Sequence, residues 1–141
     1  MKGRPIHIEL DDQATPFHIS APRKVPIPLL EQLKTELERI TKLGVIEKVE
    51  EPSEWCHPIV VAMKPSGRIR LCIDLTKLNR ATKRELYQLD STVETLAKLG
   101  DECKVMSKLD ANSGYWQMKL DEESQQKCCL LYTSPSPRDR G

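Results

Sequence analysis

The stretch IVVAMKPSGRIRLCID, residues 59–74, decides the fold. Ile59, Val60, Val61, Ala62 and Met63 make a short continuous apolar run, the pattern of a buried strand. Lys64-Pro65-Ser66-Gly67 follows, with proline where a turn presets φ and glycine where it closes. The chain then returns in strict alternation: Ile69, Leu71 and Ile73 fall on one face, Arg68, Arg70, Cys72 and Asp74 on the other. A β-hairpin with one apolar and one charged face is predicted. From Lys64 to Arg84, Lys64, Arg68, Arg70, Lys77, Arg80, Lys83 and Arg84 stand against Asp74 alone. The whole chain carries a formal charge of only +1, so any surface for a polyanion must be this local one.

Upstream, Leu29, Leu30, Leu33, Leu37, Ile40 and Leu43 recur at steps of three and four with charges between them, which predicts a helix over 28–43. Pro28 suits its first turn and Gly44 its left-handed cap. Residues 1–25 hold Pro5, Pro16 and Pro22 and little periodicity. They are expected to form an extended arm that needs a surface to lie against, with His7 and His18 as solvent-facing loop histidines.

Downstream, Ser91 and Glu94 have capping-box spacing, and Val93, Leu96 and Leu99 predict a short amphipathic helix stopped by Gly100. In KVMSKLD, Val105, Ser107 and Leu109 alternate with Met106, Lys108 and Asp110, which predicts a strand with Asp110 at its end. Asn112, Ser113 and Gly114 turn the chain. Trp116, Met118 and Leu120 alternate again, which predicts a further strand, and DEESQQ reads as another capped helical start. From Leu130 the periodicity is lost.

The 141 residues suit one domain or a piece of a larger one. No run approaches the roughly 18 apolar residues of a membrane span, and the charged N-terminus resembles no secretory signal, so an intracellular protein without a membrane partner is expected. Five cysteines, Cys56, Cys72, Cys103, Cys128 and Cys129, form no C-x-x-C pair and are expected to be reduced thiols. A zinc site from Cys56, His57, Cys128 and Cys129 is disfavoured, because adjacent ligands diverge. Aromatics are 4% of the chain, little bulky material for an independent core.

Asp110 is the most interesting carboxylate, since a strand end holds a side chain rigidly at the rim of a sheet. An aspartate there also commonly caps the turn that follows. As a hard oxygen ligand it could hold Mg²⁺, but that ion needs further oxygens and no second carboxylate is obvious. Lys64, Arg68 and Arg70 could clamp a triphosphate or simply form a solvated strand face. Tyr115 could wall a sugar or base, or be a half-buried aromatic.

The strings taken together go further. PIPLLEQLKTELERITKLGVIEKVEEPSEWCHPIVVAMKPSGRIRLCIDLTKLN (residues 26–79) and KVMSKLDANSGYWQMKLDEES (residues 104–124), in that order, resemble the start of a gypsy-type LTR retrotransposon reverse transcriptase. The resemblance covers about Ile6 to Gln126 and implies an α+β fold: a partial right-hand polymerase, with a fingers β-hairpin and helices and the first palm strand, in an incomplete domain. Its expected boundaries are an arm at 1–25, the partial reverse transcriptase domain at 26–126, and a non-family, disordered or artefactual tail at 127–141.

The resemblance also implies roles. Asp110 stands at the first catalytic aspartate, a ligand of Mg²⁺, and Ala111 where the backbone meets the triphosphate. Tyr115 matches the aromatic under the nucleotide sugar that excludes a 2′ hydroxyl. Lys64 and Arg70 match the fingers' contact with the deoxynucleoside triphosphate. Arg68 could share that task and is assigned, with Asp74 and Asn79, to nucleic acid. The implied partners are an RNA or DNA template with its primer, deoxynucleoside triphosphates, and the remainder of the polyprotein: the rest of the palm, the thumb, ribonuclease H and integrase. The family's further aspartate pair, in a Tyr- or Phe-x-Asp-Asp hairpin, is not in this sequence, so the fragment is expected to be inactive as given. The alternatives are a non-catalytic nucleic-acid-binding module and a pseudogene-derived relic.

The tail KCCLLYTSPSPRDRG matches nothing the resemblance leads one to expect. Sequencing the locus past the codon for Gln126 is expected to give a family-like continuation; a native SPSPRDRG there would show that the tail belongs to the protein.

Overall fold

The computed structural model describes residues 3–100 and 102–132. Its first element is helix α1, Ile27–Lys42, with Pro28 in the first turn and Leu33 and Ile40 buried. Gly44, at φ +71°, closes it: the Gly44 N–H donates to Thr41 O and the Val45 N–H to Ile40 O, the paired bonds of a Schellman ending.

The hairpin forms as predicted. Strands β1, His57–Met63, and β2, Ile69–Ile73, run antiparallel with Ile59 opposite Ile73, Val61 opposite Leu71 and Met63 opposite Ile69. At its tip the Gly67 N–H donates to Lys64 O and the Lys64 N–H to Arg68 O, with Gly67 at φ +79°, so glycine is required there. The apolar face meets α1 in a small core of Leu33, Ile59 and Ile69, flanked by Val25, Leu29, Leu37, Val61 and Leu71.

Helix α2, Thr76–Ala81, follows β2 and buries Leu78. Periodicity does not predict so short a helix; its start is fixed by Asp74, whose Oδ1 accepts from the Thr76 N–H and hydroxyl. Helix α3, Thr92–Leu99, has the expected capping box: Ser91 Oγ accepts from the Glu94 N–H while Glu94 Oε2 accepts from the Ser91 N–H. None of its residues is buried among the described residues.

Three expectations need correction. Residues 104–110 form no strand: no described residue pairs with them, and Val105 and Leu109 are exposed. Alternation sets which face a strand would bury but supplies no partner for its N–H and C=O groups, so the segment is left without a ladder. Residues 116–120 are not a strand either. A 3₁₀ turn, Gly114–Gln117, follows Ser113, which holds a left-handed φ of 49°, and only Leu120 pairs, with Ile6. Third, residues 127–132 are not a disordered tail. Helix α4, Glu122–Lys127, ends in a buried lysine, and strand β3, Leu130–Leu131, joins β1 in parallel to give a sheet of order β2-β1-β3. The rest of the expected tail, 133–141, lies outside the described residues.

The arm touches the body through backbone bridges at Ile6 with Leu120, Leu10 with Thr82 and His18 with Cys56. No described helix is long and apolar enough to cross a membrane. Ile59, 2% exposed, and Val93, 75% exposed, should respond very differently to truncation. In urea unfolding Ile59→Ala is expected to cost about 2–5 kcal/mol. Val93→Ser should stay within about 0.5 kcal/mol and lower the chain's tendency to aggregate.

Candidate functional site

The outer face of the hairpin follows from the register. Ala62 lies opposite Arg70, and the next pair along the same face is Lys64 and Arg68 at the turn. The three cations thus share the face turned away from α1. All three are exposed, and none forms an ion pair among the described residues. Lys77, Arg80 and Arg84 continue the charge onto and beyond α2, also without carboxylate partners among the described residues; Lys77 stands 5.7 Å from the Phe17 ring centroid. Lys83 is different, being held by Glu9 at 2.9 Å. Lys77 and Arg80, with Asp11, Gln13 and Thr15 of the arm, line an open cleft of about 280 Å³.

Asp74 sits at the exit of β2, but its carboxylate is occupied. Besides accepting from Thr76 it lies 3.6 Å from Arg23, and the hydrogen bonds from Thr76, then the Arg23 and His57 charges, hold its carboxyl below the ordinary value. Asn79 is exposed on α2.

Asp110 and Ala111 lie exposed in the irregular segment before the turn. Asp110 makes no side-chain hydrogen bond or ion pair among the described residues, so it does not cap the turn. Gly114 allows the chain to fold back here, because a Cβ on it would come 3.3 Å from the Ala111 Cβ. Tyr115, on the 3₁₀ turn, is 87% exposed. It is therefore not a half-buried aromatic but a ring presented to solvent.

Two anchors hold this turn, and the sequence reading anticipates neither. Trp116 lies under Arg39 of α1, the guanidinium 5.6 Å from the ring centroid. Arg39 is itself gripped by both oxygens of Glu36, at 2.8 and 2.7 Å. Those bonds, with a smaller contribution from the Lys64 charge, lower the Glu36 carboxyl. One turn of α1 therefore carries Trp116 while feeling the charge at the hairpin tip.

The second anchor is at α4. Asp121 Oδ1 accepts from the Ser124 N–H at 2.8 Å, and His7 Nδ1 stands 2.6 Å from Asp121 Oδ2. His7 is exposed in a loop, as expected, but its ring is engaged by Asp121. His18 is exposed, as expected.

The E-W-C-H-P block is structural. His57, fully buried, stacks on Trp55 at 6.0 Å and its Nε2 lies 2.9 Å from Lys127 O, leaving Nδ1 without a partner. All five cysteines are free thiols, and burial, then the neighbouring Cys129, pushes the Cys56 thiol up. Among the described residues no three His, Cys, Asp or Glu side chains gather to hold a metal ion. Asp110 alone does not make a magnesium site, since six oxygens are needed.

The Ser124 hydrogen bonds, followed by His7, lower the Asp121 carboxyl to about 2. A depressed carboxyl stabilises the fold above its ordinary value of 3.8 and loses that contribution as pH falls through about 2. An NMR titration of the Asp121 side chain should show this low midpoint, and the acid loss of stability should be smaller in Asp121→Asn.

No family model matches the chain. It is 36% identical over 118 residues, 82% of its length, to an uncharacterized protein of Caenorhabditis elegans, of which that stretch is 9%. It is 27% identical over 99 residues, 68% of its length and 9% of the relative, to a retrovirus-related Pol polyprotein from transposon 297 of Drosophila melanogaster. To the enzymatic polyprotein of cauliflower mosaic virus (strain Strasbourg) it is 27% identical over 120 residues, 84% of its length and 17% of the relative. The chain therefore spans less than a fifth of each of these relatives.

Among solved structures it superposes on the prototype foamy virus protease-reverse transcriptase (CSH mutant) with a TM-score of 0.72 and 20% identity, covering 94% of this chain and 17% of that one. A foamy viral protease-reverse transcriptase in complex with double-stranded DNA matches with a TM-score of 0.64 and 15% identity, over 94% of this chain and 22% of that one. The chain thus has the α+β fold of part of a protease-reverse transcriptase and a sequence similar to retroelement Pol polyproteins.

Proposed function

We propose that this chain is the fingers and the start of the palm of a gypsy-type RNA-directed DNA polymerase, one part of a two-metal nucleotidyl transferase whose other parts lie elsewhere in its polyprotein. The observation that carries this reading is the common support given by α1. Its apolar face seats the hairpin that displays Lys64, Arg68 and Arg70, and its Glu36–Arg39 turn holds the loop that displays Tyr115. Phosphoryl transfer asks little covalent work of a protein and much positioning and charge neutralisation. Exposed cations without carboxylate partners suit triphosphate oxygens, with Arg70 as a two-pronged donor and Lys64 as a mobile point charge. The exposed Tyr115 ring suits a sugar face, and Ala111, in the segment just before it, would lie along the phosphates.

In this reading Asp110 supplies the first carboxylate for magnesium, and no described residue supplies a second. Template and primer would lie over the cations that continue to Arg84, with Arg68, Asp74 and Asn79 at their edge. Of these Asp74 fits least well, being engaged by Thr76 and Arg23. The apolar residues left exposed on α3, Val93 and Leu96, suit burial by the rest of the palm.

The test needs a complete polymerase in which residues 26–126 replace the corresponding segment. Asp110→Asn should abolish incorporation, and Arg70→Ala should raise KM for the deoxynucleotide about tenfold or more, with the loss of its charge-assisted hydrogen bonds. Should Asp110→Asn leave synthesis intact while Arg70→Ala weakens template binding and flattens its salt dependence, the module is a nucleic-acid binder and not a catalytic part.

A further inference from the structure

The polymerase reading makes no use of the contacts between the arm and the start of α4. The Ile6 N–H donates to Lys119 O at 2.8 Å and Ile6 O accepts from the Asp121 N–H at 3.1 Å. The Ile8 N–H donates to Ser124 Oγ at 2.7 Å, and Ile8 O accepts from Lys127 Nζ at 2.9 Å. Ser124 is fully buried and Lys127 nearly so, so these bonds are shielded from water. Between them His7 reaches Asp121, whose other oxygen caps α4.

The surrounding charges single out this pair. Three carboxylates of the arm and α4 feel the His7 ring: Glu9, Glu123 and Asp121. Glu9 is held by Lys83 at 2.9 Å and Glu123 by Lys127 at 2.7 Å. Among the described residues Asp121 is the one of the three without a lysine, and the imidazole takes that place. Besides the Ile6 backbone bonds, the span 114–121 then has two side-chain supports distant in sequence, Arg39 under Trp116 and His7 at Asp121.

We propose that His7 is a positioning residue: by engaging Asp121 it latches the arm onto the start of α4 and fixes the span that presents Tyr115. The value of Tyr115 to catalysis rests on the polymerase reading; the latch itself does not.

The full chain can be tested by trypsin cleavage after Lys119, whose carbonyl is tied to Ile6, and by the NMR amide signals of Tyr115 and Trp116. His7→Ala is expected to speed cleavage after Lys119 about tenfold and to shift both amide signals. His7→Asn, whose side-chain amide nitrogen takes the place of Nδ1 and can donate to Asp121, should restore both. Lys83→Ala, which frees Glu9 on the same arm, should change neither. Wild-type behaviour in His7→Ala, no rescue by His7→Asn, or an equal effect from Lys83→Ala would overturn the latch. No readout involves nucleotide incorporation, so a failure here leaves the polymerase reading standing, and a failure there leaves the latch standing.

Discussion

Everything in this molecule depends on one apolar contact, the inner face of the β1–β2 hairpin against the stripe of α1. Leu33, Ile59 and Ile69 are its buried centre, and no other described group of buried apolar side chains gathers in this way. With so few large side chains inside, the contact must orient as well as stabilise. It turns the hairpin's second face outward, and because side chains alternate strictly along a strand, that choice exposes Lys64, Arg68 and Arg70 together. Core and candidate site are two readings of one register.

The same helix also reaches the other half of the candidate site. Arg39 leaves the polar side of α1 and meets the Trp116 ring, while both Glu36 oxygens accept from its Nε and Nη2. Asp121 performs a comparable double task further on, giving one oxygen to the first turn of α4 and the other to His7. In each case a side chain that completes local structure also ties a distant segment to it. This gives a chain with little core a way to hold an exposed turn in place.

Elements whose signal is local were legible in the sequence. The alternation of β2, the three-and-four spacing of α1, the Gly44 ending and the Ser91–Glu94 box each involve residues within one or two turns of each other, and each forms. Helix α2 went unread because TKLNRA is too short for periodicity and its start is set by one aspartate hydrogen-bonded two residues ahead. The segment 104–110 fails for the opposite reason: its pattern is clear, but a strand is a relation between two segments and no described neighbour meets it. The candidate site divides along the same line. The cationic face could be read from alternation, whereas the Arg39–Trp116 and His7–Asp121 contacts join residues far apart in the chain, and nothing local announces them. The D-E-E-S start of α4 showed that Asp121 would cap a helix, not that its second oxygen would find an imidazole.

The sheet order places β2 at an edge, with no described strand beyond Ile69–Ile73. Such an edge offers open N–H and C=O groups to any extended chain that passes, including another copy of the protein. Arg68 and Arg70 stand along that border, and a second copy laid beside it would bring like charges together. The cations that face outward for a polyanion therefore also guard the sheet against its own kind. Any change that neutralises them exposes the protein to self-association in the same stroke.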